Sequence, residues 1–237
     1  MGRSRGLDRR ARADRILDVA KDLLLRWGYR RVTIDEIATR AGVGKGTIYL
    51  HWRTREQLFF AVGAREAVAM TAAVTSAMRD EAGEVALHRY MRRVFVEAMR
   101  RPVLRAIFTQ DVDTLDRFLT TPARSPLENA KLVASREYLG VLAENGLLRP
   151  GLRPADLDYS LPATVFGFFG VEPLLPAEID LDLEAKAAHL ADVVRRAFEP
   201  ATPPTGEQLA AAAAKTIEIF EQLARDYGEA TYGGTDE

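Results

Sequence analysis

At 237 residues the chain is long enough to bury a sizeable core, as one large domain or two small ones. It has no cysteine, which excludes a disulfide framework and a thiolate metal site and fits a reducing cytoplasm. The formal net charge of −1 hides an asymmetry: residues 1–60 carry 14 Lys and Arg against 7 Asp and Glu, and the rest carries 19 against 27, so the front suits a polyanion and the remainder does not.

The N-terminus is basic but no apolar run follows it, unlike a signal peptide. The longest apolar run, Leu161 to Val171, is too short and glycine-rich to span a bilayer. The expectation is a cytoplasmic protein with no membrane partner. Residues 1–14, with Arg3, Arg5, Arg9, Arg10 and Arg12 and little to bury, are expected as a flexible basic arm, a solvated tail or one that touches phosphates or the minor groove. Ile16, Leu17, Ala20, Leu23, Leu24 and Trp27 then recur at helical spacing, and Gly28 ends that helix.

Thr33 with Glu36 has the spacing of a capping box and opens a second helix with Ile34, Ile37, Ala38 and Ala41 on its apolar side. Gly42 can adopt the left-handed conformation that stops it. Val43 and Ile48 flank Gly44 as a hydrophobic staple flanks an N-cap, so a third short helix follows after a tight turn. Helix, short turn and helix in this spacing make a helix-turn-helix. Ile48 and Trp52 share the buried side of the third helix, which leaves Lys45, Gly46, Thr47, Tyr49, Leu50 and His51 facing out or on its flanks. Glycine in the first turn lets backbone approach a surface, free N-terminal amides attract phosphate, and major-groove readers use this end of the second helix of the motif. Thr54 with Gln57 is a further capping box, opening a helix that runs to about Asp80, before Gly83.

These residues, Thr33, Ile37-Ala38, Ala41-Gly42-Val43, Gly46-Thr47, Tyr49, His51 and the Glu56-x-Leu58 tail, resemble the DNA-binding domain of the TetR family of bacterial transcriptional repressors. The resemblance covers about the first 65 residues. The family's usual Ser, Phe and Lys are replaced by Gly44, Trp52 and Arg55, which keep a cap, an apolar filler and a charge. It implies an all-α chain: a helix-turn-helix domain over 15–60 and a helical effector-binding and dimerisation domain over 61–228; by composition, residues 229–237 are expected as a disordered tail. It also implies that Thr33, Lys45, Gly46, Thr47, Tyr49, His51 and Arg55 contact DNA. Thr33, Tyr49, His51 and Arg55 suit phosphates, whereas Lys45, Gly46, Thr47 and also Leu50 suit base edges. The helix opened by Thr54 is implied to carry the effector signal between domains.

Beyond Glu84 the chain reads as six more helices, with no alternating strand pattern. The fifth carries Leu87, Met91, Val94, Phe95 and Ala98, and the sixth runs from Leu104 through Ile107, Phe108 and Leu115 to Leu119. Ser125, Pro126 and Glu128 cap the seventh, which ends at Asn145-Gly146. The eighth carries Leu157, Leu161, Val165, Phe168 and Phe169, with Pro162 kinking it or shifting its start. The ninth carries Leu183 to Phe198, and a Pro-rich link leads to the tenth, with Leu209, Ala213, Phe220 and Tyr227.

Met91, Phe95, Met99, Phe108, Phe118, Tyr138 and Phe166 are candidate walls of a ligand cavity, although each singly is more ordinarily core. His88, Gln110 and Tyr138 are the polar groups that could orient an apolar ligand. The apolar stripes of the last three helices either close the monomer or build a dimer face; the resemblance favours a homodimer paired through C-terminal helices. The resulting expectation is a repressor that holds a pseudo-palindromic double-stranded operator as a homodimer and is released by a small molecule, with an activator or a ligand-independent regulator as alternatives. An enzyme fits poorly. Gly42 to Thr47 resembles a phosphate loop, but Lys45 is not followed directly by Ser or Thr and no strand precedes it. His51, His88 and His189 have no metal-ligand spacing, and no nucleophile and base pair stands out, so no cofactor, metal or catalytic residue is expected.

Overall fold

The computed structural model describes residues 2–109, 111, 125–171, 174–176, 178, 179 and 181–232. Through them run ten α-helices: α1 Gly2–Arg31, α2 Ile34–Ala41, α3 Lys45–His51, α4 Arg55–Asp80, α5 Leu87–Arg100, α6 Pro102–Phe108, α7 Ser125–Glu144, α8 Pro154–Gly170, α9 Leu183–Phe198 and α10 Gly206–Tyr232. A 3-10 turn, Ala82–Val85, joins α4 to α5 at the glycine where the sequence breaks the helix. The fold is all-α among the described residues.

Two cores organise these helices. In the first, Ile16, Leu17, Ala20, Leu23 and Leu24 of α1 meet Ile37 of α2, Ile48 and Trp52 around α3, and Leu58 and Phe59 of α4. In the second, Phe95, Tyr138, Leu142, Phe169, Leu190, Phe198 and Phe220 bring α5 and α7 to α10 together. α4 belongs to both, with Ala61 and Val62 in the first and Val74 and Met78 in the second. By length and composition α4 could cross a bilayer, but half of its apolar window is buried inside the protein, as in a core helix. α6 also joins the cores: Val103 and Ala106 pack in the first, Leu104 in the second.

Local chemistry sets the ends of the motif helices. The Thr33 hydroxyl accepts the Glu36 amide at 3.2 Å, and Gly42 ends α2 at φ 67°. Glu36 does not complete the box, because Arg40 donates to its carboxylate at 2.7 Å. Thr54 caps α4 by accepting the Gln57 amide at 3.1 Å. Gly28 breaks α1 at φ 71° and ψ 162°, a backbone that L side chains rarely adopt. Pro162 lies inside α8 without ending it; that helix starts at Pro154, where Arg153 and Asp156 form a reciprocal cap.

Both expected termini need correction. Residues 2–14 are the first turns of α1 rather than a flexible arm. Residues 229–232 are the last turn of α10 rather than a disordered tail, and Thr231 is buried. The reason is long-range: the Trp52 indole N–H donates to the Thr231 carbonyl at 3.0 Å, the Tyr232 hydroxyl donates to Asp14 at 2.8 Å, and the Arg10 guanidinium lies 4.6 Å from the centre of the Tyr232 ring. The end of α10 is therefore docked on the first core. Trp27, expected in that core, sits at its rim beneath Arg40. Gln110, Leu115, Phe118 and Leu119 lie outside the described residues, as do the side chains of Ser125 and Glu128.

Candidate functional site

α3 is a seven-residue helix pinned on one side by Ile48 and, just past its end, by Trp52, both buried. Its other side presents Lys45, Gly46, Tyr49 and Leu50 at helical spacing, with Leu50 76% exposed; Thr47 is half-buried at the edge of that face. Thr33 is exposed at the start of α2. The Lys45 ammonium lies 2.9 Å from the Asp35 carboxylate, and this hydrogen bond raises its pKa. Both side chains are largely exposed, so the pair exchanges readily for another anion.

Two residues expected on phosphates are turned to other partners. His51 is buried, its ring centroid 5.2 Å from that of Trp52; burial, then Arg9 and Arg12, hold its pKa below the usual range. Arg55 lies 3.9 Å over the Tyr29 ring and donates to the Tyr29 carbonyl, which fastens α4 to the end of α1. Its Nε is buried without a partner. Arg9 and Arg12, named in the expected arm, are instead exposed on α1 and stand close enough to His51 to act on its charge.

A second feature lies in the other domain. A cavity of about 540 Å³ opens between α4, α5, α6, α7, α8 and α10, within the range of small-molecule sites. Met91, Phe108, Tyr138 and Phe166, expected on such a wall, line it. Phe95 and Met99 do not: Phe95 is fully buried against Phe169, with ring centroids 4.8 Å apart. His88 is also elsewhere, its Nδ1 2.8 Å from the Glu199 carboxylate, tying α5 to the end of α9. Gln110 and Phe118 lie outside the described residues.

The walls are mostly apolar, from Phe60 and Val74 on α4 to Leu223 on α10. Tyr90 stacks on Phe220 at 5.2 Å, and burial raises its pKa, so the phenol stays neutral. Burial does the same to Tyr138, whose hydroxyl donates to the Val85 carbonyl at 2.8 Å. Among the described lining residues the one acid, Asp158, is paired with Arg136 at 2.8 Å, and the Lys131 ammonium lies 5.2 Å from the centre of the Phe108 ring. Among the described residues no group of three acidic or histidine side chains could hold a metal.

An exposed helical face on a basic three-helix domain, with a hollow helical domain behind it, defines the class: a helix-turn-helix domain of the DNA-binding kind joined to an all-α domain. The model of the family "Bacterial regulatory proteins, tetR family" matches residues 16–62. The regulator QacR of Staphylococcus aureus is 41% identical over 49 residues, 21% of this chain and 26% of that protein. The activator FasR of Mycolicibacterium smegmatis is 35% identical over 80 residues, 33% of this chain and 36% of that protein. These matches span about a quarter to a third of the relatives' own length. The structure of SmeT in complex with triclosan aligns with 82% of this chain and 95% of SmeT at TM-score 0.62 and 23% identity, a likeness of fold. Residues 16–62 thus match the DNA-binding domain of tetR-family regulators.

Proposed function

We propose that this protein is a repressor that holds a pseudo-palindromic operator as a homodimer and lets go when a small molecule enters the helical domain. The observation that carries this reading is that one helix, α4, is fixed at its start to the recognition domain through Leu58 and Phe59 and forms, further on, a wall of the cavity through Val74. A ligand that prefers one arrangement of that wall shifts the equilibrium between two placements of α3, by as much as its affinities for the two differ. The ligand class is a largely apolar molecule, neutral or anionic, because the lining offers aromatic and aliphatic carbon and its one described acid is already paired. SmeT, of like fold, is known as a complex with triclosan, which agrees with a small-molecule site in this fold.

Within the DNA face, Lys45, Gly46, Thr47 and Leu50 are assigned to base edges and Thr33 and Tyr49 to the backbone. Two copies whose recognition helices lie about 34–36 Å apart read successive major grooves. The dimer face is assigned to α8, where Tyr159, Ala163, Phe166, Gly167 and Gly170 form an exposed apolar and small-residue stripe.

The test is selection of genomic fragments by the purified protein at several salt concentrations, followed by transcript measurement with and without the gene. Enrichment of one inverted repeat, with neighbouring transcripts rising on deletion, is the expected result. Transcripts that fall instead make it an activator, as FasR is named. Binding without any preferred sequence removes the operator.

A further inference from the structure

α10 touches both ends of the proposed signal. Its middle closes the cavity through Phe220, Leu223 and Tyr227. One turn further on, the Thr231 hydroxyl donates back to the Tyr227 carbonyl at 2.7 Å, and the Thr231 carbonyl takes the indole proton of Trp52. Trp52 is the residue that terminates the recognition helix, and both partners of this bond are buried. The next residue, Tyr232, is held by Asp14 and Arg10 of α1. Phe220 and Thr231 are separated by about 16 Å of continuous helix at the usual rise. A rigid rod thus connects the cavity wall to the end of α3, antiparallel to α4, since Glu221 pairs with Arg79 near the far end of α4. α6 also reaches the first core, but through Val103 and Ala106, which pack into its interior. α10 alone among the described helices of the second core bonds the residue that caps α3.

We propose that α10 is a strap through which occupancy of the cavity repositions the recognition helix, with Trp52 and Tyr232 as the positioning residues at its end. This rests on reading the cavity as an effector site. A ligand that displaces Tyr227 moves the Thr231 carbonyl one turn away, and α3 must follow or lose a buried hydrogen bond. The strap acts on the C-terminal end of α3, so it tilts the helix that carries Lys45 to Leu50 while the core beneath stays packed.

The test is hydrogen exchange by mass spectrometry on the full chain, with and without saturating 8-anilino-1-naphthalenesulfonate, an apolar anion of the proposed class. In the native protein the probe is expected to slow exchange at 60–74 and 90–94 and to change it several-fold at 226–232 and 46–53. Tyr232→Phe keeps the ring over Arg10 and removes the bond to Asp14; Trp52→Phe keeps an aromatic filler and removes the indole donor. Without probe, each is expected to speed exchange in 226–232 by roughly five- to tenfold, the effect of one ordinary hydrogen bond. With probe, each keeps the cavity response and loses the response at 46–53. A native protein whose cavity segments respond while 226–232 and 46–53 stay silent overturns the strap alone, as does an undiminished response at 46–53 in both variants. No protection at 60–74 or 90–94 overturns the effector reading and the strap with it.

Discussion

Gly42 and Gly46 sit four residues apart, and each has open space where a Cβ would stand, yet substitution should act on them in opposite ways. Gly42 holds φ 67°, so Gly42→Ala strains the turn between α2 and α3 and should cost about 1 kcal/mol or more of domain stability. Gly46 is in regular helix, so Gly46→Ala should stabilise by about 0.5–1 kcal/mol while setting a methyl group on the face assigned to DNA and weakening operator binding. Denaturation followed by tryptophan emission reads the right unit, because both tryptophans, Trp27 and Trp52, belong to the first domain. His51 adds a pH dependence. Burial lowers its folded-state pKa beneath the unfolded value near 6.5, so the unfolded chain binds the extra proton. Its contribution to stability is full above that value and is lost as pH falls towards the folded pKa. The denaturation midpoint should therefore drop between about pH 7.5 and 5.5, and His51→Gln should flatten that part of the profile. The sequence placed His51 on a flank of α3 and the resemblance gave it a phosphate; Trp52 and the neighbouring α1 draw the ring inward.

At the scale of elements, what was legible was what is local. Thr33, Gly42 and Thr54 mark helix ends by short-range hydrogen bonds or backbone angle, and the ends fall where the residues place them. The cap of α10 was equally readable and went unused: Thr205 and Gln208 exchange amide bonds at 3.3 and 2.8 Å, a Thr-x-x-Gln box after the Pro-rich link. Docking of that helix's other end was not readable, since Trp52 and Thr231 are 179 residues apart and Thr-Tyr-Gly-Gly looks like a frayed terminus by composition. The cavity was half legible for a related reason. Periodicity separates inward from outward positions on α5 but treats Met91 and Phe95 alike, and only the packing of α8 decides that Phe169 fills the space beside Phe95 while Met91 faces a gap. The stripe on α8 shows the same limit, with Tyr159 80% exposed in a helix whose apolar positions the sequence left open between monomer core and dimer face. Gly167 is exposed and has open space where a Cβ would stand, so Gly167→Leu should be tolerated by the isolated protomer while holding two α8 faces apart. Sedimentation should show the dimer of Gly167→Leu dissociating at concentrations at least tenfold higher; an unchanged dimer places the interface elsewhere.

Over the whole molecule, charge separation does what the short motif cannot do alone. The first 60 residues carry a net +7 and the rest a net −8, so the basic domain is drawn to DNA while the acidic body is held away from it. Affinity for any duplex should fall with salt at a slope set by the number of phosphates neutralised, about −0.9 each, and two protomers double that number. Lys45 is the residue on which this generic term and sequence reading part. In the free protein its ammonium is held by Asp35, an exposed pair that DNA can replace. If Lys45 reads a base edge, Lys45→Gln should weaken binding to the selected operator about ten- to a hundredfold while changing random-duplex affinity and the salt slope little. If it holds a phosphate, both affinities should fall together and the slope should shrink by about 2 for the dimer. Asp35→Asn separates these readings further, because it removes two anions near the duplex and releases Lys45. It should tighten random DNA at low salt in either case, but it should tighten the operator more than random DNA only when the freed ammonium has a base to meet. Titrations of operator and random duplex at three salt concentrations, for the native chain and these two variants, measure every quantity needed.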